Sequence, residues 1–306
     1  MTARVFPVPT SSSGDRADIA LAGMLGVSRS AASDLIASGA VTIAGRDVAK
    51  SQRLFAGTRV EVVVPEASAV REPELEPEVQ MDIMYQDDDV VIVDKPVGVA
   101  AHASAGWTGP TVLGALLAQG VTVTTSGAPE RRGIVQRLDV GTSGLMVVAK
   151  SESAYTGLKQ AFRDRTPKKI YHAVCQGYPE HMTGTIDAPI GRHPTNDWKF
   201  TVRADGRASV THYEVMEMLP SATLCEVRLE TGRTHQIRVH FAALRHPLLG
   251  DITYGADPVL AESVGLAHQW LHSQTLGFTH PITGVWTEVS SEYPADLAAA
   301  LEILRG

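Results

Sequence analysis

Sulfur, long apolar runs and basic charge are all scarce in this 306-residue sequence. Cys175 and Cys225 are its only cysteines. They form no CxxC pair and belong to no Cys/His cluster at metal-ligand spacing, which excludes a disulfide framework and a structural zinc; reduced thiols are expected. No stretch approaches the ~18 consecutive apolar residues of a membrane span. The N-terminus, MTARVFPVPTSSSGDR, lacks the basic-then-apolar layout of a signal peptide. A cytoplasmic protein with no membrane partner is expected. Lys and Arg number 27 against 34 acidic residues, a net charge of −7, which at first sight argues against a nucleic-acid partner. The distribution weakens that objection. Residues 65–90 carry nine acidic side chains and one basic, whereas 131–240 carry 16 basic and 11 acidic. A basic middle between acidic flanks is compatible with a local phosphate-binding surface, although solvated faces also produce it.

What is present is ordinary globular material: 44% apolar and 20% charged residues, in a chain long enough for two unequal domains. Residues 1–14 are Pro/Ser-rich and expected to be disordered. Residues 15–64 read as a compact module. A helix with Ile19, Leu21, Met24 and Leu25 is followed by a second that Ser28 can cap, then by short strands, VTIAG and RVEVVVP. This segment resembles the small RNA-binding module first seen in ribosomal protein S-four, on the strings GVSRS…LIASGAVTIAG and LFAGTRVEV. The resemblance makes Arg29, Arg46, Lys50 and Arg53 candidate RNA contacts; the alternative is solvated surface charge. Residues 65–80, PEASAVREPELEPEVQ, read as an acidic Pro/Glu linker. Residues 81–306 lack the regular βα alternation of a doubly wound fold, so a mixed α+β domain is expected.

Four segments of that domain can carry chemistry. VVIVD reads as a buried strand running into Lys95-Pro96 and a loop that ends near His102. GIVQRLDVGTSGLMVVAK, residues 133–150, places Asp139 before a Thr-Ser-Gly turn and an apolar strand. Read alone, Asp139 is more readily a turn-capping carboxylate than a catalyst. SESAYTGLKQAFRDR has helical periodicity with Pro167 just beyond its end. KKIYHAVCQ alternates as a strand with Tyr171, Ala173 and Cys175 on one face. In TGRTHQIRVHFAAL, Thr234 is a plausible N-cap and Ile237, Phe241 and Leu244 form a core stripe. Arg238 adjoins that stripe, and a guanidinium near a buried face needs an acidic partner. Alternatively it clamps phosphate together with Arg233, His235 and His240.

The order of the strings DKPVGVAAH, QRLDVGTSG, KKIYHAV and TGRTHQIRVH…HPLLGD..YG resembles the RluA/RluD family of RNA pseudouridine synthases over nearly all of 81–306. That resemblance implies an α+β fold with a mixed, largely antiparallel sheet and flanking helices, preceded by the small α/β RNA-binding module. It implies conversion of uridine to pseudouridine without metal or organic cofactor. The family's catalytic aspartate falls on Asp139, its active-site tyrosine on Tyr171, the arginine paired with the aspartate on Arg238, and the arginine that intrudes into RNA on Arg137. Gln136 stands where the family usually has His, so any titration at that position is in doubt. Lys95, His102, Thr142, Arg233 and His235 join Arg137 and Gln136 as candidate RNA contacts. The implied partner is ribosomal RNA or a ribosomal precursor particle, and the chain is expected to be a monomer. A carboxylate suits the chemistry, because breaking a sugar–base bond develops positive charge at the anomeric carbon. Tyr171 can stack on a flipped uracil, and as a phenol of ordinary pKa it is a poor base. The rival expectations are a non-catalytic RNA-binding or assembly factor, a synthase acting on transfer RNA, and a glycoside hydrolase, for which no second carboxylate motif is found.

Overall fold

The computed structural model describes residues 2–25, 29–64, 75–76, 78–103, 107–196 and 198–306. The chain divides into two compact units, 1–71 and 72–306.

The first unit begins with a strand where a disordered tail is expected. β1 (Thr2–Pro7) pairs antiparallel along its whole length with β4 (Arg59–Val64). Its Pro7 is tolerated because β1 is an edge strand, where a missing N–H breaks no ladder. Between them come α1 (Ala17–Leu25), α2 (Arg29–Ala37), β2 (Val41–Ile43) and β3 (Arg46–Asp47), giving the sheet order β1-β4-β2-β3. Leu21, Ile36, Val41, Leu54, Val60 and Val62 fill its core. Ile19, one of the apolar residues that mark α1, is 41% exposed. Ser28 and the Arg29 side chain lie outside the described residues, as do residues 65–74 of the expected linker. The end of that linker belongs to the second unit, since Glu76 N–H donates to Gly114 O and Val79 packs on its core.

The second unit is built on β5 (Asp82–Gln86), β6 (Val90–Lys95), α3 (Val112–Ala118), β7 (Ser143–Ala149), α4 (Glu152–Asp164), β8 (Lys168–Gln176), β9 (Thr183–Asp187), β10 (Ile190–Arg192), β11 (Phe200–Val202), β12 (Val210–Met218), β13 (Ala222–Leu229), α5 (Gln236–Ala243), α6 (Pro258–Ser263), β14 (Leu271–Thr279), β15 (Trp286–Ser290) and α7 (Ala295–Arg305). Nine strands form one sheet in the order β5-β6-β7-β14-β8-β13-β12-β9, with β15 beside β14. Its named pairings are antiparallel except that of β7 with β14. This is the expected α+β class. β7 is buried at every position, which is why its sequence reads as an unbroken apolar run; a strand covered on both faces has no polar side to alternate with. α4 caps on Ser151, whose side chain accepts from Ala154 N–H, and buries Ala154 and Leu158. Among the described residues no helix is long and apolar enough to cross a membrane.

Candidate active site

Asp139 opens a tight turn in which Thr142 N–H donates to Asp139 O at 3.0 Å. The turn is fastened from three directions. Gly98 N–H donates to Val140 O at 2.9 Å, Gln269 Nε2 donates to Thr142 Oγ1 at 3.1 Å, and Ser143 Oγ bonds His272 Nδ1 at 2.9 Å. Thr142 is buried and lines the floor of the cleft, so its described role is to hold the turn. Lys95 departs from its expected RNA contact and does not line the cleft. It is fully buried, and its Nζ donates to Pro96 O and Val99 O at 2.9 and 2.8 Å. The ammonium thus braces the loop that carries Gly98. Burial pushes its pKa down to about 7, against the opposing charges of Asp139 and Asp94.

A cleft of 530 Å³ opens above this turn and is lined by Asp139, Tyr171 and Arg238 together with His102, Gln136, Arg137, Arg233 and His235. The volume suits a nucleotide-sized ligand. Arg238, on the buried side of α5, reaches two carboxylates. Its Nε and Nη2 donate to Asp251 Oδ2 and Oδ1 at 2.7 and 2.8 Å, and its Nη1 donates to Asp139 Oδ2 at 3.3 Å. Burial works against the guanidinium charge, but the Asp251 bonds and the two carboxylates outweigh it and hold the pKa above the ordinary arginine value. The Tyr254 ring lies under the same guanidinium, 4.9 Å from its central carbon. Asp139 is a quarter exposed, and its Oδ1 accepts no hydrogen bond among the described residues. Tyr171, on β8, is buried, and burial pushes its phenol up to about 12; the Ser273 hydroxyl opposes this shift and the Asp139 charge adds to it.

The N-terminus of α5 differs from the expected Thr234 cap. The cap residue is His235, in the left-handed region at φ 56°, with no side-chain bond of its own to the helix. Thr234 instead accepts from Arg137 Nη2, and Gln236 Oε1 takes up Arg233 N–H at 3.0 Å. His235 Nδ1 bonds the Tyr254 hydroxyl at 2.8 Å, and its Nε2 lies 3.9 Å from Asp139 Oδ2. Burial lowers its pKa more than Asp139 raises it. Ile237 and Phe241 are buried as expected, but Leu244 ends the helix 37% exposed. His240 cannot clamp phosphate. It is fully buried between Thr211 Oγ1 and Ala188 O, at 2.8 and 2.9 Å.

Arg137 is exposed at the rim, and His102 is half-buried with Nδ1 on Ala103 O. Gln136 is half-buried, and its Nε2 is a buried donor with no partner among the described residues. In the first unit Arg46 and Lys50 are exposed, whereas Arg53 is tied through Nη1 to Gly14 O. Asp251, Tyr254 and Gln269 escaped the sequence reading. The first two lie inside the quoted string HPLLGD..YG, and the need of Arg238 for an acidic partner was the available signal; Gln269 left none.

Residues 89–243 match the family described as RNA pseudouridylate synthase, and the Asp139–Arg238 cleft is built within and just beyond that span. The chain belongs to this family. It is 57% identical over 307 residues to an uncharacterised RNA pseudouridine synthase of Mycobacterium bovis, covering 100% of this chain and 99% of the relative. It is 38% identical over 306 residues to the ribosomal large subunit pseudouridine synthase D of Escherichia coli K12, covering 95% and 91%. Among solved structures, human RNA pseudouridylate synthase domain containing 1 superposes with a TM-score of 0.59 at 26% identity, over 72% of this chain and 85% of that one. The synthase is therefore an isomerase acting on uridine in RNA, with the pseudouridine synthase fold.

Proposed function

We propose that this synthase acts on large-subunit ribosomal RNA and that Asp139 is its catalytic carboxylate. The observation that carries the site is the asymmetry of Asp139: one oxygen is anchored on Arg238, while the other accepts no hydrogen bond among the described residues, in a nucleotide-sized cleft beside Tyr171. The target atoms of a uridine are shielded inside the RNA stack, so the base must be flipped into that cleft. There the free carboxylate oxygen can stabilise or trap the cationic anomeric carbon as the bond to the base nitrogen breaks, as in glycoside chemistry. Arg238 fixes the carboxylate through a charge-assisted bond and is itself held by Asp251. Tyr171, with its phenol shifted to about 12, stays protonated at neutral pH; it serves as a wall for the uracil and a hydroxyl donor, and the shift runs against a role as base. Arg137, exposed at the rim and tethered among the described residues only to Thr234, is suited to enter the stack.

The ribosomal target is supported by the name of the Escherichia coli relative, a ribosomal large subunit pseudouridine synthase, which aligns along almost the whole chain. The first unit, with its helix pair and exposed Arg46 and Lys50, serves as an RNA-binding module of the S-four type, and the acidic segment that follows it keeps non-specific RNA affinity low. The test is tritium release from ring carbon five of uridine. Unmodified large-subunit transcript should release tritium with the wild type and none with Asp139→Asn. Release from transfer RNA alone would reassign the target, and full activity in Asp139→Asn would remove Asp139 from the chemistry.

A further inference from the structure

The cleft is lined by four cations that no carboxylate answers among the described residues. Arg163 and Arg165 at the end of α4, Lys169 on β8 and Arg233 before α5 all line it. No ion pair among the described residues reaches any of the four. Glu230, an acid lining the same cleft, is taken by His212 Nε2 at 2.7 Å, and Asp139 is taken by Arg238.

Arg165 is the member of this group that acts on two others. It caps α4 at φ 61°, a left-handed position that glycine fills far more readily. A side chain kept in a strained backbone region at a cleft points to function. Lys169 has its pKa lowered first by burial and then by Arg165. Arg233 has its pKa lowered by burial, then by Arg207 and again by Arg165. Arg165 therefore lies within electrostatic reach of both and repels each of them. Lys169 shares the β8 face of Tyr171, two residues earlier and about 7 Å along the strand. A uracil resting on Tyr171 thus leaves its sugar-phosphate within reach of Lys169.

We infer that Arg165, with Lys169 and Arg163, forms a phosphate-binding corner that grips the RNA backbone beside the nucleotide flipped toward Asp139. This rests on the proposed base slot between Asp139 and Tyr171. The corner converts repulsion among fixed cations into affinity for a phosphodiester.

The experiment measures filter retention of unmodified large-subunit ribosomal RNA transcript between 50 and 300 mM salt, alongside KM for tritium release. The variants are Arg165→Gly, which suits the left-handed backbone and keeps the fold, Lys169→Gln, and Lys159→Gln as a control on the exposed side of α4. Each lost phosphate contact should lower the magnitude of the log–log salt slope by about 0.7–0.9 and weaken binding by roughly fivefold near 0.15 M salt. KM should rise by the same factor in Arg165→Gly and Lys169→Gln and stay at the wild-type value in Lys159→Gln. Equal slopes in Arg165→Gly and Lys159→Gln would overturn the corner, since charge removal anywhere would then act alike. Unchanged KM in Arg165→Gly while Asp139→Asn still abolishes tritium release would overturn it and leave the proposed chemistry standing. Altered slopes with no tritium release even from the wild type would overturn the chemistry and support the corner.

Discussion

Replacing Asp251 with Asn separates the group that holds Arg238 from the group that Arg238 serves. Asp251 has a side chain only 1% exposed and takes two guanidinium N–H groups at 2.7 and 2.8 Å, whereas Asp139 is 24% exposed and takes one at 3.3 Å. Removing one partner of a buried ion pair costs about 3–5 kcal/mol, because the remaining charge stays buried without compensation. Asn keeps one acceptor oxygen and Asp139 stays near, which places the loss at the lower end, about 3 kcal/mol. For a unit of this size that corresponds to a fall in Tm of about 6–12 °C. The rate should fall as well, roughly 100-fold, since a carboxylate displaced by about 1 Å loses its alignment with the sugar.

Asp139→Asn should show the opposite pattern. Arg238 retains both Asp251 bonds, and the lost contact is long and partly exposed, so the change in stability stays below about 1 kcal/mol. Activity disappears all the same. Thermal unfolding of both variants next to tritium release provides the comparison. The reasoning fails if Asp139→Asn melts as low as Asp251→Asn, or if Asp251→Asn melts within about 2 °C of the wild type, since either result denies that Asp251 carries the guanidinium.

Gln136→Met should raise the stability of the RNA-free protein by about 1 kcal/mol, because it removes a buried donor that has no partner; a lower urea midpoint would show that the amide is satisfied in the folded chain. His272 is fully buried between Ser143 and Ser291, with its pKa pushed down to about 4 by burial. Its folded value lies below the ordinary 6.5, so the unfolded state binds the extra proton between pH 6.5 and 4. Stability is unaffected by this group above that window and falls as the pH drops through it, by about 2 kcal/mol at pH 5 and about 3 kcal/mol below pH 4. Urea unfolding at pH 7 and pH 5 should show a smaller pH dependence in His272→Asn than in the wild type, and equal dependences would mean that His272 is not held neutral.

The sequence disclosed individual elements of the site more readily than their partners. β7 was legible because a strand buried on both faces is apolar throughout, and Tyr171 because β8 alternates. Arg238 was legible as a buried cation in need of an acid, yet the acid, Asp251, follows the end of α5, where only the folded chain brings it back. Lys95 and His240 have the letters of surface cations but are buried against backbone carbonyls, Pro96 O and Val99 O for one and Ala188 O for the other. Nothing local distinguishes them from Arg233, which does line the cleft. β1 was hidden by composition: the Pro and Ser residues that end and follow TARVFP suggested disorder, and its register with β4 depends on residues more than fifty positions away.

The meeting of Asp139 with Tyr171 has a geometric cause that lies in neither segment. β14 is inserted between β7 and β8, and Ser273 pairs with Gly144 on one side and Tyr171 on the other. The strand that the Asp139 turn leads into and the strand that carries Tyr171 are therefore two strand spacings apart, about 9.5 Å. Gly144 sets that distance on the β7 side. It lies at φ 108°, and a Cβ there would fall 2.6 and 2.8 Å from the Ser273 N and C atoms. A larger residue must push β7 away from β14, carrying the Asp139 turn with it. The second glycine of the Gly-Thr-Ser-Gly string is thus a spacer for the proposed catalytic carboxylate, and the strand it spaces against arrives some 130 residues later in the chain.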